Sequence, residues 1–476
     1  MRPLPFSGIL LLLVVLCPLS TALASDPPPL PAGLGTAPPP LPAGLGTDPP
    51  PLPAGLGTEV AETGTGVTAP AASQVDISGF WENAAGIRTR NDPYERQTSL
   101  LESRLQLSVE RPGDTLSLKL TGDFLYDAVA ESHKVDLETG EGFFDLREAW
   151  LFYRPANRVD IKAGRQTLTW GTGDLLFIND LFPKDFRSFF IGRDDEYLKA
   201  PSDALKLSLF FDAASLDLVY TPRFDPNRYI DGSRISYYNP ATGSITGRDN
   251  ILEASVPDDW FSDDEIAARL YTNWRGYELA AYGYTGFWKN PAGLDPVSGD
   301  AIFPELDVAG VSGRGTIGPG IGNAEFGYYH SGDDSSGRDP TIANSELRFM
   351  AGYEQEVARE LTLGLQYYLE RMQDYDRYRD TLPADSPARA HNRHVFTVRL
   401  VWLALQQNLR LSAFNYYSTS DDDGYLRAAA SYRLDDHWTL SGGLNLFYGN
   451  EEHTFFGQLE KNSNVYTSIR YGFERF

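Results

Sequence analysis

From residue 75 onward the chain alternates apolar and polar residues with period 2, and it keeps that period to its end. Within 99–109, Leu101, Ser103, Leu105, Leu107 and Val109 alternate with Glu102, Arg104, Gln106 and Ser108. Within 361–369, Leu361, Leu363, Leu365, Tyr367 and Leu369 alternate with Thr362, Gly364, Gln366 and Tyr368. Within 438–448, Trp438, Leu440, Gly442, Leu444, Leu446 and Tyr448 alternate with Thr439, Ser441, Gly443, Asn445 and Phe447. Alternation sustained over about ten residues predicts a strand with one apolar and one polar face. About 18 such segments follow one another.

The connections between them carry the architecture. Short turns fall at 111–114, 155–158, 212–215, 274–276, 318–323, 358–360, 405–408 and 434–436. Between them come longer connections near 90–97, 131–142, 171–203, 222–264, 289–306, 330–343, 373–392, 419–424 and 450–463. Short and long alternate without a break. A soluble sandwich has no reason to gather its long loops at one end of the strands, whereas a transmembrane antiparallel β-barrel has short periplasmic turns and longer external loops. An even strand number puts both ends of the barrel on the periplasmic side. Tyr271, Trp274, Tyr277, Tyr282, Tyr284 and Trp288 sit toward strand ends and suit interfacial girdles. The terminal Phe476 suits a barrel insertion signal, but it is out of step with Val465, Thr467, Ile469, Tyr471 and Phe473, so a bulge near Glu474 is expected.

Composition narrows the partners. Aromatic residues are 13 % and glycines number 44, against 3 Met and 1 Cys, a balance that suits β-structure. The net charge of -24 disfavours nucleic acid, because the phosphate interaction would be repulsive. The single Cys17 excludes intrachain disulfides, c-type haem attachment and Cys-rich zinc sites. Arg2, the apolar run 8–19 and Ala22-Leu23-Ala24 predict a signal peptide over 1–24, cleaved before Ser25. Residues 26–58 are three near-identical 11-residue Pro-rich units. Such a segment cannot bury a core, so 25–74 is expected to be a disordered periplasmic linker, or a docking peptide for a periplasmic partner. The barrel then spans 75–476.

If apolar stripes face acyl chains, the other parity faces a lumen. That parity places Arg104, Lys119, Arg147, Lys162, Lys206, Arg269, Arg348, Arg399, Arg410, Arg427, Arg433 and Arg470 inside. It also places Glu102, Asp123, Asp127, Asp145, Asp160, Asp217, Glu278, Glu346, Glu354 and Glu370 there. Of these, Arg104, Arg147, Lys162, Arg269, Arg348, Arg399 and Arg427 are the pore-lining candidates. The acidic clusters 258–259, 263–265, 333–334 and 421–423 lie in loops; they suit a solvated surface or divalent bridging to lipopolysaccharide. Connection 171–203 carries Leu175, Leu176, Phe177, Ile178, Phe182, Phe186, Phe189 and Phe190 among many charges, too much apolar area for a free external loop. Two placements suit it: folded inward as a constriction, with Lys184, Arg187 and Arg193 near the solute path, or packed on the barrel rim. Catalysis has little support, since His391 and His394 have no third ligand nearby and no nucleophile or phosphate-loop motif appears. No cofactor is expected.

The hairpin 146–171 poses a separate problem. Its stripes Phe144, Leu146, Glu148, Trp150, Phe152 and Val159, Ile161, Ala163, Arg165, Thr167 each hold one charge. With Ala156 and Asn157 at the tip, Glu148 stands opposite Arg165, and the pair is expected to bridge the strands near the outer rim. Two independent rim charges, or a bulge that turns both inward, are the alternatives. The residues Arg147, Glu148, Ala149, Leu151 and Gly164, Arg165, Gln166, Trp170, Gly171 resemble a strand pair of outer-membrane porins related to the alginate-export barrels. That resemblance implies an 18-stranded barrel. Alginate-export members use a strongly basic lumen for a polyanion, and the balanced lumen expected here departs from it. The expected function is an outer-membrane channel passing ions or small hydrophilic solutes by diffusion, in contact with lipid and lipopolysaccharide. A sheath for a partner such as a cytochrome, or a surface adhesin, remains as an alternative.

Overall fold

A computed structural model of the protein describes residues 75–384 and 386–475. The expected signal peptide, the Pro-rich linker and Phe476 lie outside these residues. The first nine barrel strands are β1 (Asp76–Arg88), β2 (Thr98–Arg111), β3 (Leu116–Asp127), β4 (Phe144–Ala156), β5 (Val159–Thr167), β6 (Pro201–Phe210), β7 (Ser215–Thr221), β8 (Glu265–Trp274) and β9 (Tyr277–Phe287). The second nine are β10 (Glu305–Ile317), β11 (Gly320–Ser331), β12 (Glu346–Ala358), β13 (Leu361–Met372), β14 (Asn392–Ala404), β15 (Leu409–Ser418), β16 (Asp423–Arg433), β17 (Trp438–Gly449) and β18 (Asn464–Arg475). Each pairs antiparallel with its chain neighbours. β1 pairs with β18 from Ile77↔Arg475 to Arg88↔Asn464, which closes the sheet into an 18-stranded barrel.

Closure explains why the two faces differ as they do. The outer face exposes Leu101, Leu105, Leu107, Val109, Leu118, Leu120, Val311, Phe326, Phe349, Leu365, Val398, Leu400 and Ile469, while Glu102, Arg104, Asp123 and Glu346 are buried inside. In water such an outer belt is an aggregation surface. In a bilayer it faces acyl chains, and the closed ladder leaves no backbone donor unpaired in lipid. Eight turns of two to four residues gather at the end where β1 begins and β18 stops, and the connections at the other end are longer, except that between β15 and β16, which is only the four residues 419–422.

Three expectations need correction. Trp274 and Tyr277 are exposed on the outer face beside a short turn, as an interfacial girdle requires. Tyr282, Tyr284 and Trp288 are instead buried inward, with Trp288 against Tyr329 at 5.8 Å, and Tyr271 shares the inward parity of Ala267 and Arg269. The β18–β1 ladder runs without slippage to Arg475, so there is no bulge near Glu474.

The third correction concerns the hairpin: Glu148 and Arg165 do not pair. Ala156 stands opposite Val159, which places the tip at Asn157–Arg158, one residue later than expected. The ladder then slips between Tyr153 and Ala156, leaving Arg165 opposite Ala149. A second irregularity sets Thr121 opposite Glu148 but Gly122 opposite Leu146, so Arg147 is an extra residue in β4. Such a bulge reverses parity. Phe144 and Leu146 face outward before it, and Leu151 and Tyr153 after it. Glu148 therefore turns inward and pairs with Lys119 at 2.6 Å. Arg165 keeps the outward parity of Ile161 and Ala163, beneath the 128–143 connection. There it forks onto Asp203 at 2.9 and 2.7 Å and donates to Leu137 O at 2.8 Å.

Candidate functional site

The barrel interior is crossed by its own connection between β5 and β6. Helix α1 (Phe186–Ile191) starts where the Asp185 carboxylate accepts from Ser188 N at 2.7 Å, and it ends at Gly192 with φ 98°. That φ favours glycine, and a Cβ there would also lie 2.3 Å from the Tyr466 ring. A 3₁₀ turn at Asp195–Leu198 follows, capped by Asp194 accepting from Glu196 N at 3.1 Å.

Polar anchors tie this loop to opposite walls. On β11, Glu325 accepts from Thr172 N, from Gly173 N at 3.1 Å, and from Asn179 N and Nδ2 at 3.2 and 2.9 Å. Asn445 on β17 and Asn464 on β18 both donate to Phe190 O, at 3.0 and 2.9 Å. Tyr197 donates to Asp123 on β3 at 2.8 Å, and Arg193 meets Glu102 on β2 at 2.7 Å. Phe190 packs edge-on against Tyr425 at 5.4 Å and Phe447 at 5.2 Å. Of the two placements open to the connection, inward folding is the one observed, with Phe189 and Phe190 buried against the inner wall.

The seven pore-lining candidates all project inward, but their surroundings differ. Arg104 is fully enclosed between Asp123 at 2.5 Å, Glu102 at 3.2 Å and the Tyr197 ring at 4.1 Å. Arg147 lies over the same ring at 4.9 Å and donates to Lys199 O at 2.7 Å. Arg348 meets Glu346 at 2.7 Å and covers Tyr329 at 4.0 Å. Arg269 pairs with Glu278, and Lys162 stands over Trp150 at 4.3 Å. Arg399 reaches Asp174 of the loop at 2.7 Å, and Arg427 donates to Phe189 O at 3.0 Å. Arg104, Arg147 and Arg348 thus brace the loop and the upper wall, whereas Arg399 and Arg427 lie at the loop's edge.

The three loop cations are each held by a carboxylate. Lys184 is buried against Asp180 at 3.0 Å, Arg187 meets Glu141 at 2.5 Å, and Arg193 is taken by Glu102. The water-facing edge of the loop is acidic: the side chains of Asp194, Asp195 and Glu196 are 49 %, 63 % and 45 % exposed. Sequence reasoning missed this edge, although the signal stood directly after Arg193. Opposite it, β14–β18 form a wall that brings Arg399, Arg410, Arg427, Arg433 and Arg470 together. These five strands hold two carboxylates, Asp423 and Glu474, one near each end.

The long connections shape the outer mouth. Arg228 of the 222–264 connection meets Asp145 at 2.9 Å, and Arg234 meets Asp127. Asp225 accepts from Ser202 Oγ at 2.7 Å; burial pushes its carboxyl up to about 7, helped by nearby Glu265. Burial likewise pushes Glu95 up to about 7, against the opposing pull of Arg88 and Arg248. His391 stacks on Tyr375 at 4.5 Å and His394 Nδ1 contacts Tyr367 Oη at 2.9 Å, so the two histidines face different partners.

An apolar belt outside, ionic walls inside and an inward loop define a porin-type transmembrane barrel. In fold the chain is similar to OccAB4 of Acinetobacter baumannii (TM-score 0.51, 11% identity), covering 84% of this chain and 98% of that one. It is similar also to OccD3 (OpdP) of Pseudomonas aeruginosa (TM-score 0.50, 11% identity, 84% of this chain and 92% of that chain). OccAB3 of A. baumannii aligns with TM-score 0.50 and 9% identity over 85% of this chain and 100% of that one. No family model matches the chain. No curated protein matches it either.

Proposed function

We propose that the protein is an outer-membrane channel through which ions or small hydrophilic solutes diffuse, with an inward loop that sets the pore width. The observation that carries this reading is the loop between β5 and β6: it is tied to opposite walls yet leaves an exposed, charged edge facing the arginine wall. The side chains of Asp194, Asp195 and Glu196 are exposed along that edge. Selectivity then follows from pore width and from the placement of fixed charges. A sheath around a partner protein fits less well, because the chain's own loop crosses the interior, tied to Glu325 on one side and to Asn445 and Asn464 on the other.

The similarity to porins related to the alginate-export barrels gains a physical content here. Its motif builds the root of the inner loop. Gln166 is fully buried and donates to Ala204 O at 2.9 Å, Trp170 packs edge-on to Phe182 at 4.9 Å, and Gly171 takes φ 84° beside Glu325. We keep membership of that group, and a periplasmic partner for the Pro-rich repeats, as proposals. Liposome swelling with the purified protein tests the function: swelling that falls with solute size is expected. Liposomes that stay impermeable to every small sugar and amino acid would refute it.

A further inference from the structure

The lipid-facing surface carries an amide at a depth where lipid offers it no partner. β1 runs from Asp76 to Arg88, and Asn83 lies near its middle. It shares the outward parity of the exposed Trp81, Ala85 and Ile87, while Glu82 and Ala84 are buried inside. Its ladder partners are Ser103 on β2 and Ile469 on β18. The neighbouring polar groups of this seam are satisfied within the chain: Trp81 Nε1 donates to Ser103 Oγ at 3.0 Å, and Thr467 Oγ1 donates to Ser441 O at 2.9 Å. The Asn83 side chain makes no hydrogen bond among the described residues. Mid-strand outward positions elsewhere are apolar, as with Leu120 on β3, Phe349 on β12, Leu365 on β13 and Val398 on β14.

We propose that the β1 face around Asn83 is a contact between two copies of this chain, related by a two-fold axis along the bilayer normal, with the two Asn83 amides hydrogen-bonded to each other. Hydrocarbon offers an amide neither donor nor acceptor. An outward amide at mid-depth therefore bears its full desolvation cost unless a second protein surface meets it. That surface must hold a polar group at the same depth. A second copy does so without further requirement, because both copies sit in one bilayer at one level. An amide is also complementary to itself: it presents N–H donors and a carbonyl oxygen, so the two copies exchange donor and acceptor across the axis. The surface on the outer side of Asn83 is open to close approach. There Ala85 stands opposite Thr467, Thr467 opposite Gly442, and Gly442 opposite Ala430. Small side chains let two membrane-embedded surfaces come near enough for such bonds. The contact is independent of what the pore carries, since Asn83 faces away from the lumen.

The test is single-molecule photobleaching of the full-length protein in liposomes, labelled through Asp436→Cys in the exposed turn between β16 and β17. Liposomes that bleach in two steps should exceed random co-capture increasingly as the protein-to-lipid ratio rises. Asn83→Leu, which suits lipid, should raise the ratio at half-association about tenfold, because the mutual pair of hydrogen bonds is lost. Its heat transition should not fall, so the loss is not one of folding. Ala85→Trp, which blocks the approach and keeps the amide, should abolish the excess while leaving heat-modifiable migration unchanged. Wild type distributed at random at every ratio would overturn the two-copy contact. So would Asn83→Leu or Ala85→Trp pairing as wild type does, and three or more bleaching steps would overturn the two-fold axis.

Discussion

Replacing Phe190 with alanine should release the inner loop while leaving the barrel closed. Phe190 is 4 % exposed and is enclosed by Phe189, Tyr425, Phe447 and Phe456. Truncating a buried phenylalanine costs about 3–5 kcal/mol, and this includes edge-on ring pairs worth about 0.5–1.5 kcal/mol each. The loss falls on one anchor of the loop, because Glu325 and Glu102 hold other parts of it by separate contacts. If half of the loss favours a detached loop, its population rises roughly 10- to 100-fold, since about 1.4 kcal/mol is tenfold. The assay is single-channel recording beside gel heat-modifiability. Larger and noisier conductance with an unchanged heat transition is expected. A lowered heat transition with unchanged conductance would mean that the aromatic pocket stabilises the wall and does not hold the loop.

Gly192→Val should act in the same direction, because its Cβ meets the Tyr466 ring at a positive φ; conductance again reads it. Glu148→Ala and Arg165→Ala should have additive effects on heat stability, whereas Lys119→Ala and Glu148→Ala should couple by about 0.2–1 kcal/mol in a double-mutant cycle. For pH, Asp225 and Glu95 hold their protons up to about 7, well above the range of a free carboxyl. The folded mouth therefore binds more protons than the unfolded chain between about pH 4 and 7, and its stability falls as pH rises through that window. Proteolytic nicking of the external loops should increase from pH 6 to pH 8, and Asp225→Asn with Glu95→Gln should flatten that dependence.

The barrel was legible because its signal is repeated. Alternation of the kind in 99–109 fixes which residues face lipid, and it placed Arg104, Arg399 and Arg427 inward without reference to any contact. Alternating loop lengths then fixed which end is which. Parity reading fails where one residue is inserted, and it failed at Glu148: the bulge at Arg147 depends on the register against β3, which the β4 sequence does not encode. Tyr282 and Tyr284 were misjudged for a different reason. Position near a strand end suggested a girdle, but their even parity, shared with the buried Ala280, already pointed inward. The inner loop was recognisable from its apolar content, yet the partners of its charges were not. Lys184, Arg187 and Arg193 are satisfied by Asp180, Glu141 and Glu102, two of them on other elements. That left the acids of the loop edge as the groups facing water.

Planar-bilayer recording of the purified full-length protein in KCl tests the central claim most directly. The account predicts discrete conductance steps whose size grows with salt concentration. No conductance at any salt concentration, from protein shown to be folded by its heat-modifiable migration, would contradict it.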